Sequence, residues 1–379
     1  MEPDLALLDW LKPFLPLLGP EKRRAICPLY VAALIDPDKT ALTAATAGDR
    51  YDRLHHFISS GVWDHRSLCD ELARQADHQA GGPDAVLVVD DVHLPKTGRH
   101  AVGAAPRRLT PTGAPVNCQT LVALTLVRGD RAVPVGLRLM LPEAWLEDTD
   151  RLDKAEVPDV YRRPQSGPDI ALEEIDRLIA LGAGFGLVLA GSDYGASTAF
   201  RQGLRARRLT SIVGVPATLS VWPVADDARP FDPTPMTTAA ALLRQARWTS
   251  DGAGSHAFAR VRVGDDDGLR PSGRDRSGRP AGEAIWLIGT TAASGECHYH
   301  LADAAETSRP EALVATLSSR LASERATARM RDDLGLERFE ARSWQGLHRH
   351  FLMTMMACAY LQHRSLAPPP HAIPLKAQG

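Results

Sequence analysis

The chain has 379 residues, 44% hydrophobic and 24% charged, with a formal net charge of −2. That balance belongs to a folded globular chain. It excludes a strongly basic protein whose bulk charge alone holds nucleic acid, so any DNA surface has to come from local clusters of Arg. Five cysteines (Cys27, Cys69, Cys118, Cys297, Cys358) in no C-x-x-C spacing exclude a zinc ribbon or disulfide scaffold and read as a reduced, cytoplasmic protein.

Residues 1–80 predict an all-helical section, because "LDWLKPFLPLL", "RRAICPLYVAALI" and "DRLHHFISSGVWDHRSLCDELARQA" repeat apolar residues near every 3.6 positions. No signal peptide or membrane-spanning segment is expected. After the turn "AGGPD" the period changes. "AVLVVDD" is a short apolar strand ending in Asp90 and Asp91, and "HAVGAA" reads as a second extended piece. "CQTLVALTLVRGDRAVPVGLRLMLP" predicts two strands around the turn Arg128-Gly129-Asp130. A helix over about Pro168 to Leu181 follows, with Ile170, Ile175, Leu178 and Ile179 on one face. "GLVLA" then predicts a strand that turns at Gly191 into a helix near Gly195, and "SIVGV" another strand.

Three strands followed by alternating helix and strand is the order of a ribonuclease-H-like α/β core, over residues 81–215. A β-rich insertion is expected over 216–302, including "FARVRV", "AIWLIGT" and a polar, mobile loop between them. Residues 303–364 complete the core with helices from Pro310 to about Leu334 and from Trp344 to His363, and 365–379 read as a disordered, Pro-rich tail. Cys297, His298 and His300 lie close together, but alternation along a strand sends Cys297 to the face opposite the two histidines, against a metal site. "HRH" at His348–His350 lies on a helix and is expected to pack or to touch phosphate.

Two features carry chemistry. Asp90 and Asp91 end a buried strand, which is costly unless they meet a cation or hydrogen-bond donors. Only one of the pair can face a given site. Arg320, Glu324 and Arg331 recur at spacings that place them on one helix face. Taken singly, these read equally as loop-capping acids and a surface salt bridge. Taken together they suggest phosphoryl transfer. Two divalent cations roughly 4 Å apart, held by carboxylates, activate a nucleophile and stabilise the leaving oxygen. Nearby Arg side chains would hold phosphates.

At these residues the sequence resembles bacterial insertion-sequence transposases of the DDE superfamily, of the insertion sequence 701 type. The resemblance runs through "YDRLHHFISSGVWD", "VLVVDDVHLPKTGRHAVGA", "NCQTLVALTL", "RLMLPEAWLED", "VLAGSDYGASTAFRQGL" and "DDLGLERFEARSWQGLHRHFLMTMMACAYLQH". It implies metal-dependent cleavage and joining of double-stranded DNA by a homodimer, with Mg2+ or Mn2+. The first-strand motif D-[DE]-T-x-x-x-K places the first catalytic acid at Asp90 and its basic residue at Lys96, with Val92 in the Thr position. The late-helix motif R-W-x-x-E, followed by Lys, places Arg320 and Glu324, with Leu321 for the Trp, Thr327 for an aromatic or His, and Arg331 for the Lys. Asp90 and Glu324 are then the metal ligands, and Lys96, Arg320, Arg325, Arg331 and Arg342 the DNA contacts.

The resemblance also exposes a loss. The motif A-D-x-x-Y-G is matched by Ala190, Tyr194 and Gly195, but Gly191 stands in the place of the second catalytic acid. Asp193, two residues on, either substitutes for it, helped by a bend at Gly191, or caps the following helix. Asp91 is another candidate for compensation. Three functional readings follow: an impaired transposase, a domesticated relative that only binds DNA, or an enzyme recruited to other chemistry with Asp90 and Glu324 as acid and base.

Overall fold

The computed structural model describes residues 3–36, 44–98, 100–109, 113–224, 236–251, 254–263, 285–291, 295–304, 310–339 and 342–366. The helical front section comprises α1 (Leu5–Leu11), α2 (Glu21–Ile35), α3 (Ala44–Ser59) and α4 (Arg66–Ala80). The sheet begins with β1 (Gly82–Pro95), twice as long as "AVLVVDD" suggested. "HAVGAA" is not a strand of its own: residues 101–104 turn, and the short β2 is Ala105–Arg107. β3 (Val116–Arg128) and β4 (Arg131–Met140) form the expected hairpin, with Gly129 at a φ of 65°. Short helices α5 (Glu143–Leu146) and α6 (Thr149–Lys154) lead to α7 (Gly167–Ala180), which opens on a Ser166–Asp169 capping box. Ile170, Ile175 and Leu178 of α7 are buried as expected, but Ile179 is exposed. β5 (Phe185–Ala190), α8 (Ser192–Ala196), α9 (Thr198–Ala206) and β6 (Ser211–Val215) complete the alternating part.

The strand pairing is that of a ribonuclease-H-like core. β1 lies between β3, antiparallel, and β5, parallel; β4 continues beyond β3, and β6 is parallel to β5. A parallel pair needs a crossover, here α7, and the central β1 is buried from Ala85 to Val89.

The expected insertion is part of the same sheet. It contributes β7 (Ser220–Pro223), β8 (Thr237–Thr238), α10 (Ala239–Arg244), β9 (Thr249–Asp251), β10 (Gly254–Arg262), β11 (Ile285–Thr291) and β12 (Cys297–Asp303). β12 pairs antiparallel with β6, and β11 and β10 follow outward. The loop expected to be mobile between β10 and β11, and the tail beyond Leu366, lie outside the described residues.

The expected helix from Pro310 to Leu334 is broken. It divides into α11 (Pro310–Leu317) and α12 (Ser319–Ala328), and then opens into a π-helical turn over Arg329–Asp333. Finally α13 (Trp344–Leu366) runs buried from Phe351 to Tyr360 and packs on β4, α2, α3 and α4. The front helices and the last helix therefore share one core with the sheet. No helix among the described residues is long and apolar enough to cross a membrane.

The core position of α13 gives a stability test. Phe351 is fully buried. Phe351→Ala should cost about 3–5 kcal/mol, by lost burial and the cavity left behind. His363→Ala, on the exposed last turn of α13, should stay within about 0.5 kcal/mol of the parent. Denaturant midpoints of the two variants check this.

Candidate metal-type acidic centre

The site forms where parallel pairing stops. Val89 of β1 pairs with Ala190, the last residue of β5, and the chain then turns into α8. β1 continues as Asp90 and Asp91, still paired to Ala123 and Val122 of β3. Asp90 therefore sits at a notch at the carboxyl end of β5, the usual place for a functional crevice in such sheets. α12 lies across β1, β3 and β4, with Ala322, Ser323 and Ala326 buried underneath.

Arg320 of α12 joins the two expected metal ligands. Its Nη2 donates to Asp90 Oδ2 at 2.9 Å and its Nε to Glu324 Oε1 at 3.0 Å. Both carboxylates hold one planar guanidinium, so the bonded oxygens stand no more than about 8 Å apart. Side-chain exposures are 41% for Arg320, 31% for Asp90 and 51% for Glu324, so water screens the pairs and each contributes modestly. Burial raises the pKa of Asp90 most strongly; Arg320 pulls it back, and the net shift is upward.

Gly191 is adjacent to this group. A Cβ placed on it would lie 3.4 Å from Asp90 Oδ1 and 3.7 and 3.8 Å from Nη1 and Nη2 of Arg320. Its backbone is extended, at φ −71° and ψ 178°, a conformation any residue adopts. The chain turns into α8 one residue later, at Ser192. Asp193 does not cap a helix. α8 starts at Ser192 with Gly191 as its N-cap and no side-chain cap bond, and α9 is capped by Ser197. Asp193 is exposed in the first turn of α8, and its charge bears on His93 and Tyr194.

Asp91 points away from Asp90, as strand alternation requires. The Tyr194 hydroxyl donates to Asp91 Oδ1 at 2.6 Å, and Arg107 Nη2 stands 3.7 Å from its Oδ2. Asp91 thus anchors the turn after β5 and is committed to that work. Gly195 explains the neighbouring motif position: a Cβ there would fall 1.8 Å from Gly214 O, so only glycine lets this turn lie on β6.

The expected DNA contacts divide into three kinds. Lys96 is buried at 6% exposure, and its ammonium donates to Glu337 O at 2.6 Å and Phe339 O at 3.3 Å. A buried ammonium without such partners is costly. Lys96 therefore ties the end of β1 to the segment following α12, in place of the phosphate contact expected of it. Arg331 falls in the π-helical turn and pairs with its neighbour Asp332 at 2.9 Å. Arg325 and Arg342 are exposed, as is Arg329. His348, Arg349 and His350 are buried and hydrogen-bond to Trp344 O, to Trp63 O and Ile58 O, and to Tyr30 and Gly335 O, so they pack.

Beside Glu324 a cleft of about 640 Å³ opens between α12 and the ends of β5, β6 and β12. Its wall includes Ser192, Pro216, His298, His300 and Arg320. The cluster of Cys297, His298 and His300 was visible in the sequence, but its place beside Glu324 was not, because β12 reaches the site only through its pairing with β6. Burial, then His298 and Arg320, push the His300 imidazole down to about 4, so it is neutral at physiological pH.

A pair of divalent cations calls for several carboxylate oxygens converging on open positions. Here two carboxylates converge, the third position carries no side chain, and a guanidinium lies between the two acids. No group of three His, Cys, Asp or Glu among the described residues is arranged to hold a metal. As arranged, this donor set does not fit a two-cation site.

Residues 13–254 match the family model described as DDE superfamily endonuclease. That is well over half the chain, and the chain belongs to this family. The matched span contains Asp90 and Gly191 and ends before α12, so the place of Glu324 rests on geometry. A solved structure of piggyBac transposase in a synaptic complex with hairpin DNA is 10% identical at a TM-score of 0.44, over 95% of this chain and 71% of that one. This likeness is too distant to bear on activity. No curated protein matches the sequence.

The electrostatics of Asp90 give a pH test. Its folded pKa lies above the ordinary value of 3.8. Its contribution to stability is therefore full below the unfolded pKa and is lost as pH rises through the folded one. Asp90→Asn removes that loss. Its melting temperature relative to the parent should rise from acid to neutral pH. A relative fall over the same range would mean that the Arg320 pair outweighs burial.

Proposed function

We propose that this chain is a transposase-type DDE protein of the insertion sequence 701 kind, cytoplasmic and homodimeric on double-stranded DNA, whose metal-dependent strand cleavage and transfer is impaired. The resemblance along most of the chain supports the transposase type, and the family model supports the endonuclease class. The observation that carries the impairment is Gly191. A side chain there would point at Asp90, nothing in its backbone calls for glycine, Asp91 is held by Tyr194, and Asp193 is exposed in the first turn of α8. In this reading the Asp193 carboxylate is a solvated first-turn acid. Arg325, Arg329 and Arg342, exposed on and after the α12 region, supply phosphate contacts.

Duplex DNA binding and strand transfer test the proposal in one series. Binding should weaken steeply with salt, and Arg325→Ala should lower the slope of log K against log[salt] by about 1, the loss of one phosphate contact. Strand transfer with Mg2+ or Mn2+ should be weak or absent, and Gly191→Asp should raise metal-dependent nicking. Robust transfer by the unaltered protein, abolished by Asp193→Ala, would hand the second-acid role to Asp193 and overturn the impairment. Failure to bind duplex DNA at low salt would remove the DNA reading and favour recruitment to other chemistry.

A further inference from the structure

A carboxylate pair at a sheet notch needs positive charge, and in this chain the charge comes from α12 itself. We propose that Arg320 is the resident cation of the Asp90–Glu324 pair, standing where a divalent ion would otherwise bind, so that the site's charge balance and DNA contact are independent of divalent metal. The inference rests on reading this pair as the remnant of the DDE centre.

Three observations support it. The guanidinium uses two different nitrogens, Nη2 for Asp90 at 2.9 Å and Nε for Glu324 at 3.0 Å, so it bridges the acids instead of pairing with one. It also lies beside the vacant third position, with Nη1 and Nη2 3.7 and 3.8 Å from where a Cβ on Gly191 would be. Finally, its root is held in place. Ala322, Ser323 and Ala326 bury the same helix against the sheet, and Lys96 and His350 fix the carbonyls of Glu337, Phe339 and Gly335 just beyond it.

The chemistry follows from the charge count. Two carboxylates and one guanidinium leave a net −1, against −2 for the bare pair. Arg stays protonated at any physiological pH, so this compensation cannot be titrated away. A metal ion has to displace the guanidinium from both acids before it gains either, and at two-fifths exposure that displacement is a modest barrier. Adding a third carboxylate at Gly191 is therefore one route to metal binding, and removing Arg320 is another.

Manganese binding to the full chain tests this, by titration calorimetry and by the metal-induced shift in melting temperature. The unaltered protein should show weak binding and no shift. Arg320→Ala and the polar Arg320→Gln should each bind Mn2+ about tenfold more tightly, equivalent to roughly 1.4 kcal/mol, with a melting temperature that rises on adding the metal. Asp90→Asn in the Arg320→Ala background should abolish the gain, and Arg320→Lys, which keeps the charge, should stay close to the parent. Duplex binding by the unaltered protein should survive a chelator. Equal manganese affinity in the parent and both neutral variants would overturn the proposal, as would chelator-sensitive DNA binding. The manganese readout uses no DNA, so loss of the transposase reading and loss of this one give different results.

Discussion

Asp90 is carried into a half-buried notch by the central strand of the sheet, and its charge has to be met there. β1 is paired on both flanks up to Val89, and β5 ends opposite that residue. The backbone therefore dictates where the carboxylate emerges, and burial works against its ionised form. The cation that answers it comes from α12, more than two hundred residues later in the chain. Much of the remaining architecture holds that helix in register. α12 beds on β1, β3 and β4, Lys96 ties the following segment to the end of β1, and His350 of α13 holds Gly335. Disturbing any of these would move the guanidinium relative to Asp90.

The neighbouring acid shows how one residue of strand alternation separates two jobs. Asp91 faces the opposite side, where it accepts from Tyr194 and fixes the turn after β5. That turn is tightly fixed. Tyr194 is buried, Gly195 lies on Gly214, and α8 and α9 follow in close succession. Gly191 differs from Gly195: its backbone suits any residue, and a Cβ there would meet only the Asp90 and Arg320 side chains in ordinary contact.

Local patterns in the sequence carried much of this. The β3–β4 hairpin, the helix α7, the strand before Gly191 and the Arg320–Glu324 spacing all rest on short-range patterns, and all are found. Long-range pairings were hidden. That the insertion extends the main sheet depends on β12 finding β6, and no local signal encodes that partner. The π-helical turn that holds Arg331 changes the helical period after α12, which is invisible to a spacing argument. Lys96 misled for a different reason. It was expected to contact DNA only through its place in the motif, whereas the fold buries it against carbonyls. The bridge from Arg320 to Asp90 was likewise illegible, because an i,i+4 pair accounts for Arg320 without it.

Whether Arg320 or metal answers the charge of Asp90 is tested most directly by anomalous diffraction from crystals of the unaltered protein soaked in manganese. A two-cation centre would place two peaks roughly 4 Å apart between Asp90 and Glu324. No such pair of peaks is expected, and the Arg320 guanidinium should still bridge the two carboxylates. Two well-occupied manganese ions there, with Arg320 swung away and Asp193 or Asp91 turned in as a third ligand, would contradict the bridging role of Arg320.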